Sequence, residues 1–229
     1  MHAKAAPPPL TEEQRRVRTG RRRLLSYTAF FVLVALAAGG VWIYRSVLPY
    51  RAAERVREGA TLMVPGRFQE AVDKFNEALQ VDPTRTDVYA RRGMAYQNLG
   101  RMDLALEDFE RALLVDSRQP AVLTSRGILY RSRGEFRKAV GEFTKSLALR
   151  EDTDTYFERA QAHQLMDENR EALADLDKVV AALRDAPHAL RARAALKLKL
   201  GDQLGSQEDL ASARAFETRS TRATTETKE

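Results

Sequence analysis

Two hydrophobic patterns divide the chain. The first is a continuous run: from Leu24 to Tyr44, "LLSYTAFFVLVALAAGGVWIY", no charged residue interrupts 21 positions. As a helix rising about 1.5 Å per residue it spans about 31 Å, close to the ~30 Å hydrocarbon core of a bilayer. Tyr27 lies near one end, and Trp42 and Tyr44 near the other, where interfacial aromatics belong. A buried soluble helix of this length would show one polar face, and this one does not. The second pattern is periodic. "FNEALQVD" at Phe75, "FERALLVD" at Phe109 and "FTKSLALR" at Phe143 recur every 34 residues. Gly59, Gly93 and Gly127 keep the same interval, as do Gly66, Gly100 and Gly134, and Ala71, Ala105 and Ala139. A 34-residue period written in helix formers predicts stacked helix pairs.

The residues at these positions resemble the tetratricopeptide repeat family. The second repeat carries the pattern most fully, as Tyr89, Gly93, Tyr96, Gly100, Ala105, Phe109 and Ala112, with Ser117 in place of the terminal Pro. The first repeat has Gly59, Gly66, Ala71, Phe75, Ala78 and Pro83; the third has Gly127, Tyr130, Gly134, Ala139 and Phe143. The fourth has Tyr156, Ala160, Ala172 and Leu176, with Asp167 where Gly is expected, and a degenerate fifth follows from Pro187. The frames are 52–85, 86–119, 120–152, 153–186 and 187–220. The resemblance implies an all-α fold, a right-handed α-solenoid of four to five helix hairpins, here preceded by one transmembrane helix. The repeated phrase is then the second helix of each hairpin. The small residues let helices cross closely, and the Phe rings fill the space between a helix pair and the next pair. Helix 203–216 is expected to close the stack, with 221–229 a disordered tail. Residues 45–51 form a short linker that would hold the solenoid against the bilayer.

Charge changes the picture once it is located. The net charge of +6 equals the excess within residues 1–45, and residues 46–229 carry 30 basic and 30 acidic side chains. The repeats therefore have no electrostatic footprint for nucleic acid. The basic, disordered tail 1–23 holds six Arg between residues 15 and 23, against Arg45, Arg51, Arg55 and Arg57 beyond the apolar run. That bias places the N-terminus in the cytoplasm and the repeats on the outer face. A bacterial inner membrane, with the repeats in the periplasm, is the expected setting. A cleaved signal peptide competes with a retained anchor, since Ala35-Leu36-Ala37 has the form of a cleavage site; the apolar run continuing through Ile43 favours retention.

Candidate chemistry is sparse. The chain has no cysteine and three histidines, of which His163 falls at the register of Tyr96 and Tyr130 and reads as a packing residue. No motif with metal-ligand spacing, nucleophile elbow or phosphate loop is present. No catalytic residue, metal or cofactor is implied, and the chain is not read as an enzyme. The resemblance implies a concave groove lined by the first helices. At the family's groove positions stand Met63, Val64, Asp87, Met94, Gln97, Asn98, Thr124, Ile128, Arg131, Gln161, Gln164, Arg191 and Lys199. This lining runs from apolar near the membrane to basic at the far end, where it could meet an acidic partner.

The expected function is a membrane-tethered scaffold binding protein partners in the groove and the lipid bilayer through 24–44. Two other readings stay open at this point. One is a targeting receptor with its repeats in the cytosol; the other is a structural protein that self-assembles through the groove or the Ala35/Gly39 face of the span. The repeat frame itself is testable: Phe109→Ala should cost about 3–5 kcal/mol of stability, read by chemical denaturation, and an unchanged midpoint would sink the frame.

Overall fold

A computed structural model of the protein describes residues 12, 34, 39, 50–183 and 186–226. The expected tail apart from residue 12, most of the apolar run 24–44 and the linker up to residue 49 lie outside the described residues. Among the described residues no helix is long and apolar enough to cross a membrane.

The described residues form ten helices and no strand. Helix α1 covers 50–61; it is followed by α2 (Phe68–Val81), α3 (Thr86–Asn98), α4 (Met102–Val115), α5 (Pro120–Ser132), α6 (Phe136–Leu149), α7 (Thr153–Leu165), α8 (Asn169–Ala182), α9 (Pro187–Lys199) and α10 (Gln203–Glu226). Each odd-numbered helix pairs with the even-numbered helix after it, giving five hairpins among the described residues, and each hairpin packs on the next. Two boundaries differ from expectation. Tyr50 and Arg51, assigned to the linker, are already helical. Helix α10 runs through Glu226, into the stretch expected to be disordered. Its first turns are anchored by the buried residues Ser206, Asp209 and Ala213, and propagation from a packed helix is far easier than nucleation.

The ends of the helices follow from single residues. Gly66, Gly100, Gly134 and Gly201 adopt positive φ at the turn inside their hairpins, and Asp167 takes the same left-handed conformation, φ 59°, in the fourth. The backbone N–H groups of Arg101, Glu135, Glu168 and Asp202 donate to the carbonyls of Tyr96, Tyr130, His163 and Lys197 at 2.8–3.0 Å, closing each first helix in the same way. The first hairpin departs from this. Pro65 disfavours helical backbone at Val64, so α1 stops at residue 61 and Met63 and Val64 fall in the turn.

The core is set by contacts sixteen residues apart. Phe75, Phe109 and Phe143 are fully buried. Each ring lies directly on the glycine of its own hairpin: a Cβ on Gly59, Gly93 or Gly127 would come within 2.6–2.7 Å of the ring Cε1. The sequence pattern assigned these rings to the space between hairpins. The structure places their tightest contact inside the hairpin, while Val88 and Ala95 of the next one complete the cluster around Phe75. In the fourth hairpin the pair is Ala160 and Leu176, both buried. The added methyl on one helix is matched by a smaller side chain on the other.

One residue earlier in each helix, a second contact repeats. Arg92 donates to both oxygens of Asp108 at 2.8 Å, Arg159 to Asp175 at 2.8 and 2.6 Å, and Arg193 to Asp209 at 2.8 and 2.6 Å. Arg126 donates twice to one oxygen of Glu142, at 3.0 and 2.5 Å. The first hairpin inverts the signs, with Glu58 3.3 Å from Lys74. Asp108 is only 2% exposed, a depth at which a carboxylate is kept only when paired and hydrogen-bonded. Three of the arginines also reach backward: Arg92 to Asn76 at 2.6 Å, Arg159 to Thr144 at 3.0 Å and Arg193 to Asp177 at 2.9 Å. Each such fork ties its hairpin to the one before.

Two measurements check this account. Gly127→Ala should lose about 1–3 kcal/mol by overpacking against Phe143. Adding Phe143→Leu should cost less than the sum of the single changes by about 1 kcal/mol or more; strict additivity in urea unfolding would refute the pairing. For Asp209, burial pushes the carboxyl up, but hydrogen bonds from Arg193 and Lys197, with the charges behind them, more than reverse this and hold it below its ordinary value. Its contribution to stability is therefore complete above the unfolded value, near ~3.9, and is lost as pH falls through the lower folded value. Asp209→Asn should lower stability at neutral pH and flatten the acid limb below about pH 4. An acid limb identical to that of the parent chain would refute the assignment.

Candidate functional site

The first helices of successive hairpins face one another. Arg131 on α5 donates to Glu158 on α7 at 2.6 Å, and Phe157 on α7 meets the His188 ring on α9 edge-on at 5.1 Å. These contacts define one wall of the stack, and the expected groove residues distribute along it unevenly.

Met94 and Ile128 are half-buried on α3 and α5, where each also packs against a core cluster. Gln97, Gln161 and Gln164 are half-buried on α3 and α7. Asn98 is exposed and donates to the carbonyl of Met94 at 2.8 Å. Met63 and Val64 occupy the α1–α2 turn rather than a groove-lining helix, as Pro65 requires; Met63 packs against the first core cluster, and Val64 is exposed. Asp87 is paired with Arg85 at 2.6 Å, and the hydrogen bond from that guanidinium lowers its carboxyl pKa.

Thr124 points into the stack. Its hydroxyl lies 2.8 Å from that of Ser146 and 3.0 Å from that of Thr155; Ser146 donates to the carbonyl of Pro120 and Thr155 to Asp152. The chain of hydroxyls satisfies buried polar atoms between the third and fourth hairpins. At the far end, both basic candidates are engaged within the chain. Arg191 contacts Glu217 at 2.5 Å and Lys199 contacts Asp167 at 2.6 Å. The hydrogen bond from Lys199 lowers the Asp167 pKa. His163, expected to be a packing residue, is largely buried, with Nδ1 2.6 Å from Glu168 Oε2.

Three apolar side chains on the same helices escaped the sequence list. Phe157 is half-buried, and Leu165 and Leu198 are 54% and 57% exposed. They occupy the fifth, thirteenth and twelfth positions of their frames, which the same register rule reaches. The wall thus carries apolar side chains along its length, interleaved with the half-buried Gln97, Gln161 and Gln164. Arg131 Nε is buried without an acceptor, although its Nη2 is occupied by Glu158. A buried unpaired donor is costly. Among the described residues no group of three His, Asp or Glu side chains is placed to hold a metal ion.

Comparison with known proteins bears on the fold. Residues 86–118 match the family model of the tetratricopeptide repeat. No curated protein matches the chain in sequence. Among solved structures, MamA from Desulfovibrio magneticus RS-1 superposes with a TM-score of 0.68 at 14% identity, over 74% of this chain and 96% of that one. PilF from Pseudomonas aeruginosa gives 0.65 at 20% identity, over 77% and 89%. A further MamA crystal structure gives 0.67 at 17%, over 72% and 96%. Identities this low establish a shared solenoid fold. With the family match, they support the tetratricopeptide reading of the hairpins.

Proposed function

We propose that this protein is a membrane-tethered scaffold whose first-helix wall binds an extended peptide or a helix of a partner protein. Tetratricopeptide repeats are generally non-enzymatic interaction modules, and the match at residues 86–118 supports a protein-binding role. The observation that carries the site is the placement of the half-buried Met94, Ile128 and Phe157 on three successive first helices. Apolar anchors on successive helices suit a chain that lays side chains into the wall. The uncharged run Leu24–Tyr44 supports the tether, and the six Arg before it support a cytoplasmic N-terminus with the repeats on the periplasmic face of a bacterial inner membrane. Holding the wall at a membrane raises the effective concentration of its partner there.

A photo-crosslinking residue in the full-length chain tests both parts in intact cells and inverted vesicles. Placed at Gln161, it should capture a defined product that disappears with Leu165→Asp, a change at an exposed wall residue, at unchanged melting temperature. Placed at Lys178, on the opposite helix layer, it should not capture that product. A protease-sensitive tag after Glu229 should be cut only from the outer face. Equal capture from both positions would defeat the groove reading, and cutting from the cytosolic face would defeat the topology.

A further inference from the structure

We infer that the protein forms a two-fold dimer through antiparallel pairing of α4 with α4 of a second copy, on the face opposite the partner-binding wall. Helix α4 directs Leu104, Glu107, Arg111 and Leu114 outward, spaced three, four and three residues apart, which is one stripe of a helix. Its buried residues Ala105, Leu106, Asp108, Phe109 and Ala112 occupy the other side. Leu114 is 84% exposed, its neighbour Val115 73% and Leu104 42%.

The repeat supplies its own control for these residues. At the register of Leu104 the other second helices carry Glu70, Lys138, Glu171 and Gly205; at the register of Leu114 they carry Gln80, Ala148, Ala181 and Ala215. The hairpin therefore does not need leucine at either position, and among these helices only α4 has both. Such leucines lower solubility without adding to the core of their own chain, which points to a surface covered by something else.

The charges identify that covering as a second copy. The pairs 104/114 and 107/111 are centred on the same residue, Phe109. When two such helices pack antiparallel about a two-fold axis at that level, Leu104 faces the partner's Leu114 and Glu107 faces the partner's Arg111, twice over. An isologous interface requires this self-complementarity. Within one chain Glu107 and Arg111 already contact each other at 2.6 Å, so pairing adds a cross-chain partner to groups already poised for one another.

The surface also has room at both ends of the stripe. A cleft of ≈470 Å³ opens beside Leu113, Leu114 and Leu123. Another of ≈600 Å³ opens beside Gly100, Met102 and Leu104. In the first, Leu123 lines the cleft at the register held by Tyr89 and Tyr156 in the neighbouring frames. In the antiparallel arrangement each cleft lies near a leucine from the other copy. Paired helices of about four turns bury an area at or below the lower edge of specific interfaces, ~1,200 Å², so a weak dimer with a micromolar dissociation constant is expected. Both partner-binding walls stay open, making the dimer bivalent.

Charge reversal in the full-length chain tests the pairing by sedimentation velocity in detergent. The parent chain should double in mass with increasing concentration. Glu107→Arg alone and Arg111→Glu alone should each weaken self-association at least tenfold, because each brings like charges together across the axis. An equimolar mixture of the two variants should restore dimers, since one chain then presents two Arg and the other two Glu along the stripe. Leu114→Lys should remain monomeric, with circular dichroism confirming unchanged helix content in every variant. A parent chain that stays monomeric, a mixture that stays monomeric, or association unaffected by Leu114→Lys would each overturn the proposal. The last result would assign self-association to another surface, such as residues 24–44.

Discussion

The helix crossing inside each hairpin is the constraint on which the rest of the structure depends. Two side-chain pairs, each spanning sixteen residues, meet at neighbouring positions there. Gly93 receives the Phe109 ring so closely that a methyl group would collide with it, and the preceding residue, Arg92, forks onto Asp108. The first contact sets how near the helices approach, because interiors pack densely and the pair has no slack. The second fixes their register, because a bidentate guanidinium–carboxylate pair is directional as well as strong. A buried ion pair is weak evidence for added stability, since desolvation offsets much of the attraction. Its recurrence in four hairpins, and its inverted form at Glu58 and Lys74, fit a role in alignment.

From that crossing the stack propagates. The arginine forks that reach Asn76, Thr144 and Asp177 join each hairpin to the preceding one, while apolar clusters such as that around Phe109 extend to Val122 and Leu129 of the next. No hairpin closes its own core, so neighbour contacts carry the stability of the array. The third hairpin departs from the scheme: Arg126 makes no such backward hydrogen bond to Glu110, the residue in register with Asn76 and Thr144. The cleft beside Leu113 and Leu123 opens at this junction. The least sealed seam of the stack and the most exposed leucine among the described residues, Leu114, thus lie together.

Much of the fold was legible because periodicity reports packing directly. Gly93, Ala105 and Phe109 recur at 34 residues since every hairpin meets the same neighbour, and the helix boundaries follow from the glycines. The arginine–carboxylate pairs were equally present in the sequence, as Arg92, Arg126, Arg159 and Arg193 each sixteen residues before an acid, but charged residues at helical spacing read first as solvated surface. Two local effects were harder to see. The register rule carried Met63 and Val64 onto a helix that Pro65 had already ended. Asp167 stands where the repeat expects Gly, yet Asp tolerates the left-handed conformation better than most side chains, and the turn persists.

The candidate wall was less legible because a groove position names where a side chain starts, whereas its neighbours decide what remains available. Thr124 satisfies the family register, yet its hydroxyl is consumed by Ser146 and Thr155. Arg191 and Lys199 suggested a basic end, yet Glu217 and Asp167 neutralise both. What stays available is uncharged: the apolar Met94, Ile128 and Phe157, with Leu165 and Leu198 at the helix ends, and the amides of Gln97, Gln161 and Gln164. The selectivity of such a wall rests on shape and on short-range hydrogen bonding more than on long-range charge. A partner chosen in this way associates without strong electrostatic steering, and holding both proteins at one membrane compensates for the slower encounter.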